Sequence, residues 1–352
     1  MRDHSVTIAK AIAIIFIVIG HTGCPQILDR WVTPVGLAVF FFMSGYCFKE
    51  KYLDDAKTFA RRRIVGIYWP SLKWSLLFLL LHNVFYHLNI YSDEYGFQGR
   101  TSVLYTASDF LHNIVYVATK MQAYEQLLGG YWFLKSLFVG SFIFYLTARC
   151  LNRHWCGVLL LLSVTMTLSV LDVYIPYFYI GSREFFAASV IYIGSLYKQR
   201  RWTWHRWTAV NVVALVLVVV GSEFWHTKMF YYEYWMVPPH TLSVTLAVLS
   251  LLHLGEWISK RADNSLVRLF MYIGDHTMEV LTWHFLSFKL VTLLLIAIYA
   301  LPAKQLSEFP AIGVYAVRGW WILYLCAGVG IPILGTYLCQ RVKDSINVLM
   351  QR

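Results

Sequence analysis

The sequence predicts an all-α integral membrane protein, with about ten transmembrane helices in one bundle and both termini cytoplasmic. Three observations carry that reading. Hydrophobic residues make up 58% of the 352 residues and charged residues only 14%, whereas soluble globular domains carry about 25% charged residues. The mean hydropathy is +0.54. With the N-terminus inside, the inner segments hold nineteen Lys and Arg and the outer segments seven, the bias expected when basic loops stay in the cytoplasm. The net charge of +11 is then mostly topological, and nucleic-acid binding is not indicated.

The apolar stretches run near 5–22, 32–48, 66–88, 131–149, 157–171, 184–197, 207–225, 236–254, 274–299 and 319–340. Most are long enough to cross a hydrocarbon layer about 30 Å thick as helices. The first begins with a lysine inside its apolar run and lacks a small-residue cleavage site, so it reads as a retained span and not as a signal peptide. The fifth and sixth are short for a crossing, and 274–299 is long enough to tilt. Between the third and fourth lies the longest intervening segment, 89–130, on the outer side. There Ser108 or Asp109 is expected to cap a helix carrying Phe110, Leu111, Ile114 and Val115 on one face, suited to lying along the membrane interface. Residues 1–352 form a single expected domain with no appended soluble unit. The six cysteines, Cys24, Cys47, Cys150, Cys156, Cys326 and Cys339, show no CxxC spacing, so neither a disulfide framework nor a zinc site is indicated.

Within the first span, VTIAKAIAIIFIVIGHT, two ionisable residues stand out: Lys10 and His21. Eleven residues at about 100° each come to roughly 20° past three full turns, which sets both side chains on one helix face about 16 Å apart. Ionisable groups in a span are functional candidates by default. An imidazole suits general-base work near neutral pH; the plainer reading of His21 is a helix-end histidine bonded to interfacial water. Lys10 needs a wet or polar interior, where it can meet an anion or stabilise developing negative charge, unless it snorkels to the nearby cytoplasmic surface.

Further along come VFFFMSGYCF at 39–48, RRRIVGIYWP at 61–70, GGYWFLKSLF at 129–138, REFFAASVIYIG at 183–194 and YIGDHTMEVLTWHF at 272–285. In this order, with KAIAIIFIVIGH before them, they resemble the membrane acyltransferase 3 family. The flavour is that of its fucose 4-O-acetylase-like and polysaccharide O-acetyltransferase branch. The similarity covers the N-terminus to about residue 290 and is compatible with continuing to the end. Two positions depart from the pattern: Thr7 stands where many members have Asp, and Gly66 where many have a second Arg completing RxxR.

The resemblance implies acyl transfer, most often of acetyl, from a cytoplasmic acyl-CoA to a hydroxyl of a cell-surface or lipid-linked glycan. It implies acetyl-CoA as a donor substrate and no permanently bound cofactor. The expected setting is the inner (cytoplasmic) membrane, and the implied partners are the acyl-CoA, the glycan or lipid-linked sugar acceptor and the bilayer; a homo-oligomer is compatible with such a bundle. His21 is then the base, with Lys10 serving the donor. Arg61, Arg62 and Arg63 would attract the anionic end of coenzyme A, although positive-inside retention accounts for them equally.

Depth sorts the remaining polar residues, because successive spans alternate in direction. Ser44 and Gly45, with Glu279, fall near the level of Lys10, and Glu279 is a candidate partner for it. Trp132, Lys135, Arg183 and Glu184 fall near the level of His21. Trp132 is placed to stack on an acceptor ring or to join the interfacial aromatic belt, and Glu184 to orient the imidazole or to pair with Arg183. His284 and Lys73 lie nearer mid-membrane, where His284 would line a donor tunnel or bond to another helix. His82 and His87 are five apart and share no helix face, so no metal site is expected. The outer string YYEYWMVPPH at 231–240 is either a sugar platform or a set of interface aromatics. The competing function class is a secondary transporter or flippase for a sugar-linked or amphipathic substrate; the internal repeats with interrupted helices that such folds often carry are not evident. A non-catalytic scaffold would leave the Lys10–His21 face without a purpose.

Overall fold

A computed structural model describes residues 3–96, 101–122, 124–176, 178–224, 233–261 and 264–350. Arg2, Arg100, Lys228 and Arg352 of the charge count, and Tyr231 and Tyr232 of the aromatic string, lie outside the described residues. Those residues contain helices and no strand, only an isolated bridge between Ile175 and Ile180. In chain order the helices are α1 (His4–His21), α2 (Gln26–Tyr46), α3 (Ala56–Arg63), α4 (Trp69–Leu80), α5 (His82–His87), α6 (Ala107–Lys120), α7 (Trp132–Cys150), α8 (Cys156–Leu171), α9 (Ser182–Gln199), α10 (Thr208–Phe224), α11 (Val237–Ser259), α12 (Ser265–Asp275), α13 (Thr277–Tyr299), α14 (Gly313–Tyr315) and α15 (Trp321–Met350).

Each expected apolar stretch falls on helix, but among the described residues six helical stretches, not ten, are by themselves long and apolar enough to cross a membrane. They are His4–His21, Gln26–Tyr46, Gln126–Cys150, Tyr234–Ser259, Thr277–Tyr299 and Gly313–Asn347. The others fall short for separate reasons. The stretch 66–88 breaks at Leu81, leaving a 12-residue α4 and a 6-residue α5. Helices α8 and α10 have 16 and 17 residues, and the 18-residue α9 carries Arg183, Glu184 and Lys198. Apolar side chains such as Trp69, Leu80, Leu215, Leu290 and Leu334 lie exposed on the outside of the bundle, as suits helices facing lipid. The protein is membrane-embedded.

Helix α1 is the axis around which the others pack. The helix is 67% buried, whereas the stretch containing α15 is mostly exposed. Glycines let neighbouring backbones close in on it, the small-residue packing of helices that lack a hydrophobic driving force between them. A Cβ on Gly274 of α12 would sit 2.0 Å from the Thr7 carbonyl oxygen, and one on Gly255 of α11 2.4 Å from that of Ser5. On the far side α2 locks onto α9 in the same way: Gly45 lies against Ile191 and Gly194 against Phe42. One continuous apolar cluster, with Val18, Phe41, Phe144, Phe186 and Phe288 among its buried members, fills the space between.

Three local features differ from the sequence expectation. The stretch 274–299 is broken where the His276 N–H donates back to the Tyr272 and Ile273 carbonyls, closing α12 before α13 begins. Helix α6 is capped by Thr106, whose hydroxyl accepts from the Asp109 N–H while the Asp109 carboxylate accepts from the Thr106 N–H, so Asp109 completes a capping box and is not itself the cap. The buried face of α6 is Asn113 and Val117, with Leu111 and Val115 exposed. Finally, α3 runs into α4 through a π-helical turn, Ile64–Tyr68, a local widening often found at functional sites.

Candidate functional site

Cβ bonds tilt toward the helix N-terminus, so the His21 ring hangs back along α1 and not beyond its end. There it meets α13, which packs beside α1. The His21 and His284 rings stack with centroids 5.5 Å apart and planes 25° from parallel, and Phe285 lies 4.9 Å from His21. Gly328 of α15 permits this convergence, since a Cβ there would come within 2.4 Å of Phe288 and 2.9 Å of Val18. His21 is half-buried, whereas His284 is fully buried.

The tautomer of His284 follows from its partners. Its Nδ1 faces the Leu281 and Val280 carbonyl oxygens at 2.9 and 3.1 Å, so Nδ1 carries the hydrogen and Nε2 the lone pair. That Nε2 is buried and has no hydrogen-bond partner. The carboxylate within Coulombic reach of His21 is Asp29, on the first turn of α2. Thr33 donates to Asp29 and fixes it, and both lie against Gly20. Glu184, expected to orient the imidazole or to pair with Arg183, accepts through Oε1 from Ser136 and through Oε2 from the Gly181 N–H, each at 2.9 Å.

The opposite end of α1 gathers cations. Lys10, Lys198 and Arg63 all act electrostatically on Cys47, which follows α2, with the Asp3 carboxylate acting in the opposite sense. The Lys198 ammonium lies 3.3 Å from the Tyr46 hydroxyl and 4.4 Å from the centre of its ring. The three consecutive arginines separate. Arg61 and Arg62 are exposed, with Arg62 over Tyr52, while Arg63 turns inward over the Phe59 ring at 5.3 Å. Burial pulls the Arg63 guanidinium down to about 10, which leaves it charged at neutral pH. Gly66, where the family-like pattern expects a second arginine, has nothing within 4 Å of a built Cβ. Ser44, one helical turn from Cys47, has a buried hydroxyl without a partner. Glu279 lines a groove between α13 and α15 together with Trp74, Trp283 and Lys343, and it lies within Coulombic reach of Tyr131 and Tyr272.

Trp132, Lys135 and Glu184 line one cavity of about 750 Å³, together with Tyr174, Tyr179 and Arg183. The Arg183 guanidinium sits 5.4 Å from the centre of the Trp132 ring. Buried Lys135 donates to the Tyr179 carbonyl at 3.0 Å. Just before α7, Gly129 packs toward Phe309 and Phe285, and Tyr131 bonds to Thr282 of α13 at 2.6 Å. Lys73 lies over the Trp74 ring at 4.6 Å.

Sequence reasoning missed Asp29, Lys198 and a buried cluster between α4 and α7. In that cluster His82 Nδ1 lies 3.0 Å from the Glu125 carboxylate, Nε2 lies 2.9 Å from the Val103 carbonyl oxygen, and the ring stacks 3.4 Å from Tyr105. The hint was a histidine in an apolar run with an acidic residue in the following loop, which does not reveal the pairing. A family model described as an acyltransferase domain matches residues 3–337. Neither a curated protein nor a solved structure matches the chain.

Proposed function

The chain belongs to the acyltransferase 3 family, and from that premise we propose that it moves an acetyl group from cytoplasmic acetyl-CoA to a hydroxyl of a cell-surface or lipid-linked glycan. The activity class is membrane acyl transfer; the donor, the acceptor and the residue roles are the proposal. The observation that carries it is the two-ended chemistry of α1, with cations around Lys10 and a pair of imidazoles at His21. Coenzyme A fits that polarity, having phosphates at one end and a thioester at the end of a long flexible arm.

In this reading Lys10 and Arg63 hold phosphate, and Arg61 and Arg62 add attraction from the exposed surface. Ser44 and Glu279 line the donor side. His21, with Asp29 favouring the imidazolium that forms, takes the proton of the acceptor hydroxyl as its oxygen bonds to the acyl carbon. The tetrahedral intermediate collapses, the C–S bond breaks, and the proton passes from His21 to the departing sulfur. Trp132, Lys135 and Glu184 belong to the acceptor side, their aromatic and charged cavity being suited to a glycan. The four helical stretches too short or too polar to cross alone complete ten crossings within one embedded unit, with both termini in the cytoplasm and the protein in the inner membrane.

The test is chemical. Membranes holding the protein should release free CoA from acetyl-CoA only when a glycan acceptor is present. His21→Gln, which keeps size and polarity but not basicity, should lower turnover by about 10²–10⁴-fold. Glycan movement across the membrane without CoA release would contradict the reading in favour of transport.

A further inference from the structure

Beside the proposed base, the His284 Nε2 lone pair is fully buried and has no partner. Its direction is fixed, because Nδ1–H is held by the Leu281 and Val280 carbonyls. A buried acceptor left unsatisfied costs stability, and native structures seldom keep one unless a ligand or water supplies the donor. The plain structural use, a bond to another helix, is ruled out by the missing partner.

We propose that His284 Nε2 accepts a hydrogen bond from a second donor on the acceptor sugar, a hydroxyl or amide N–H on the carbon adjacent to the one that is acylated. This rests on the acyl-transfer reading and deepens it. The reacting hydroxyl has one proton, which goes to His21. A second imidazole lone pair therefore needs a second donor, and on a pyranose the nearest one is borne by the neighbouring ring carbon. The substrate class is thus a sugar with a vicinal diol or a vicinal amino alcohol, and not an isolated alcohol. His284 is a specificity-determining contact whose loss leaves the proton transfer itself intact.

The experiment uses the full chain purified in detergent, with acetyl-CoA and a panel of methyl hexopyranosides, each compared with the monodeoxy analogue lacking the hydroxyl next to the acetylated one. Wild-type protein should favour the complete sugar over its deoxy analogue by roughly 10- to 100-fold in kcat/KM. In His284→Phe, which keeps a stacked ring but has no acceptor, that ratio should fall to near one. Its melting temperature should be no lower than wild type, because an unsatisfied buried atom has been removed. His284→Gln, which retains an acceptor oxygen, should recover part of the preference. His21→Gln should depress both sugars alike and leave the ratio unchanged. A ratio that stays the same in His284→Phe overturns the inference and assigns Nε2 to an ordered water. Absence of transfer from wild-type protein to any acceptor, glycans included, overturns the acyl-transfer reading itself.

Discussion

Arg61, Arg62 and Arg63 are neighbours in sequence but not in environment. The first two are exposed, whereas Arg63 lies half-buried over Phe59 and acts on Cys47 alongside Lys10 and Lys198. If donor phosphate is held at that convergence, Arg63→Gln should raise the KM for acetyl-CoA by roughly 10-fold while leaving kcat and the acceptor KM nearly unchanged, because uniform binding to one substrate is lost. Arg61→Gln and Arg62→Gln should each change it by less than about 3-fold, as expected of screened surface charges. Steady-state kinetics on the three single variants decides this; equal effects would reduce the arginines to a shared surface potential. Sequence alone could not make the distinction. It placed Lys10 and His21 on one face because helix periodicity is local, but Asp29, Lys198 and the stacking of His284 on His21 depend on which helices adjoin α1.

At the scale of elements, the segment between α4 and α7 is held by a buried pair. Glu125 and His82 are both inaccessible, and the pair is enclosed by Tyr105 and Tyr91. Glu125→Ala would leave the His82 ring buried against no carboxylate, so it should destabilise the protein by about 3 kcal/mol and expose the segment around α6 to protease. Replacing both residues with apolar ones of similar volume should cost less than Glu125→Ala alone. Thermal melting with limited proteolysis measures both effects; an unchanged melting point for Glu125→Ala would show that the pair does not anchor the segment. Helix positions were legible here because apolar runs are local signals. The breaks at Leu81 and His276 were not, since each lies inside an apolar run and is set by backbone hydrogen bonds that hydropathy does not encode. The cap of α6 was read at Ser108 or Asp109 and lies at Thr106, and the buried face was misread too, because Asn113 goes inward while Leu111 stays out.

On the scale of the whole molecule, composition was enough to establish a helical membrane protein, and the order of six short motifs was enough to suggest the family. The number of crossings was harder to read, because a helix such as α9, with charges at both ends and a deeply buried middle, is shielded by its neighbours and need not be apolar enough to cross alone. Orientation rests on the uneven placement of Lys and Arg, and it decides which end of α1 meets the donor. The most direct measurement therefore uses sealed inverted inner-membrane vesicles containing the protein, with a soluble glycan acceptor trapped in the lumen and labelled acetyl-CoA added outside, on the cytoplasmic face. The account predicts that label appears on the luminal glycan, that it is lost by about 10²–10⁴-fold with correctly inserted His21→Gln, and that right-side-out vesicles given external acetyl-CoA show none. Wild-type rates with His21→Gln, or labelling only when donor and acceptor share the same face, would contradict it.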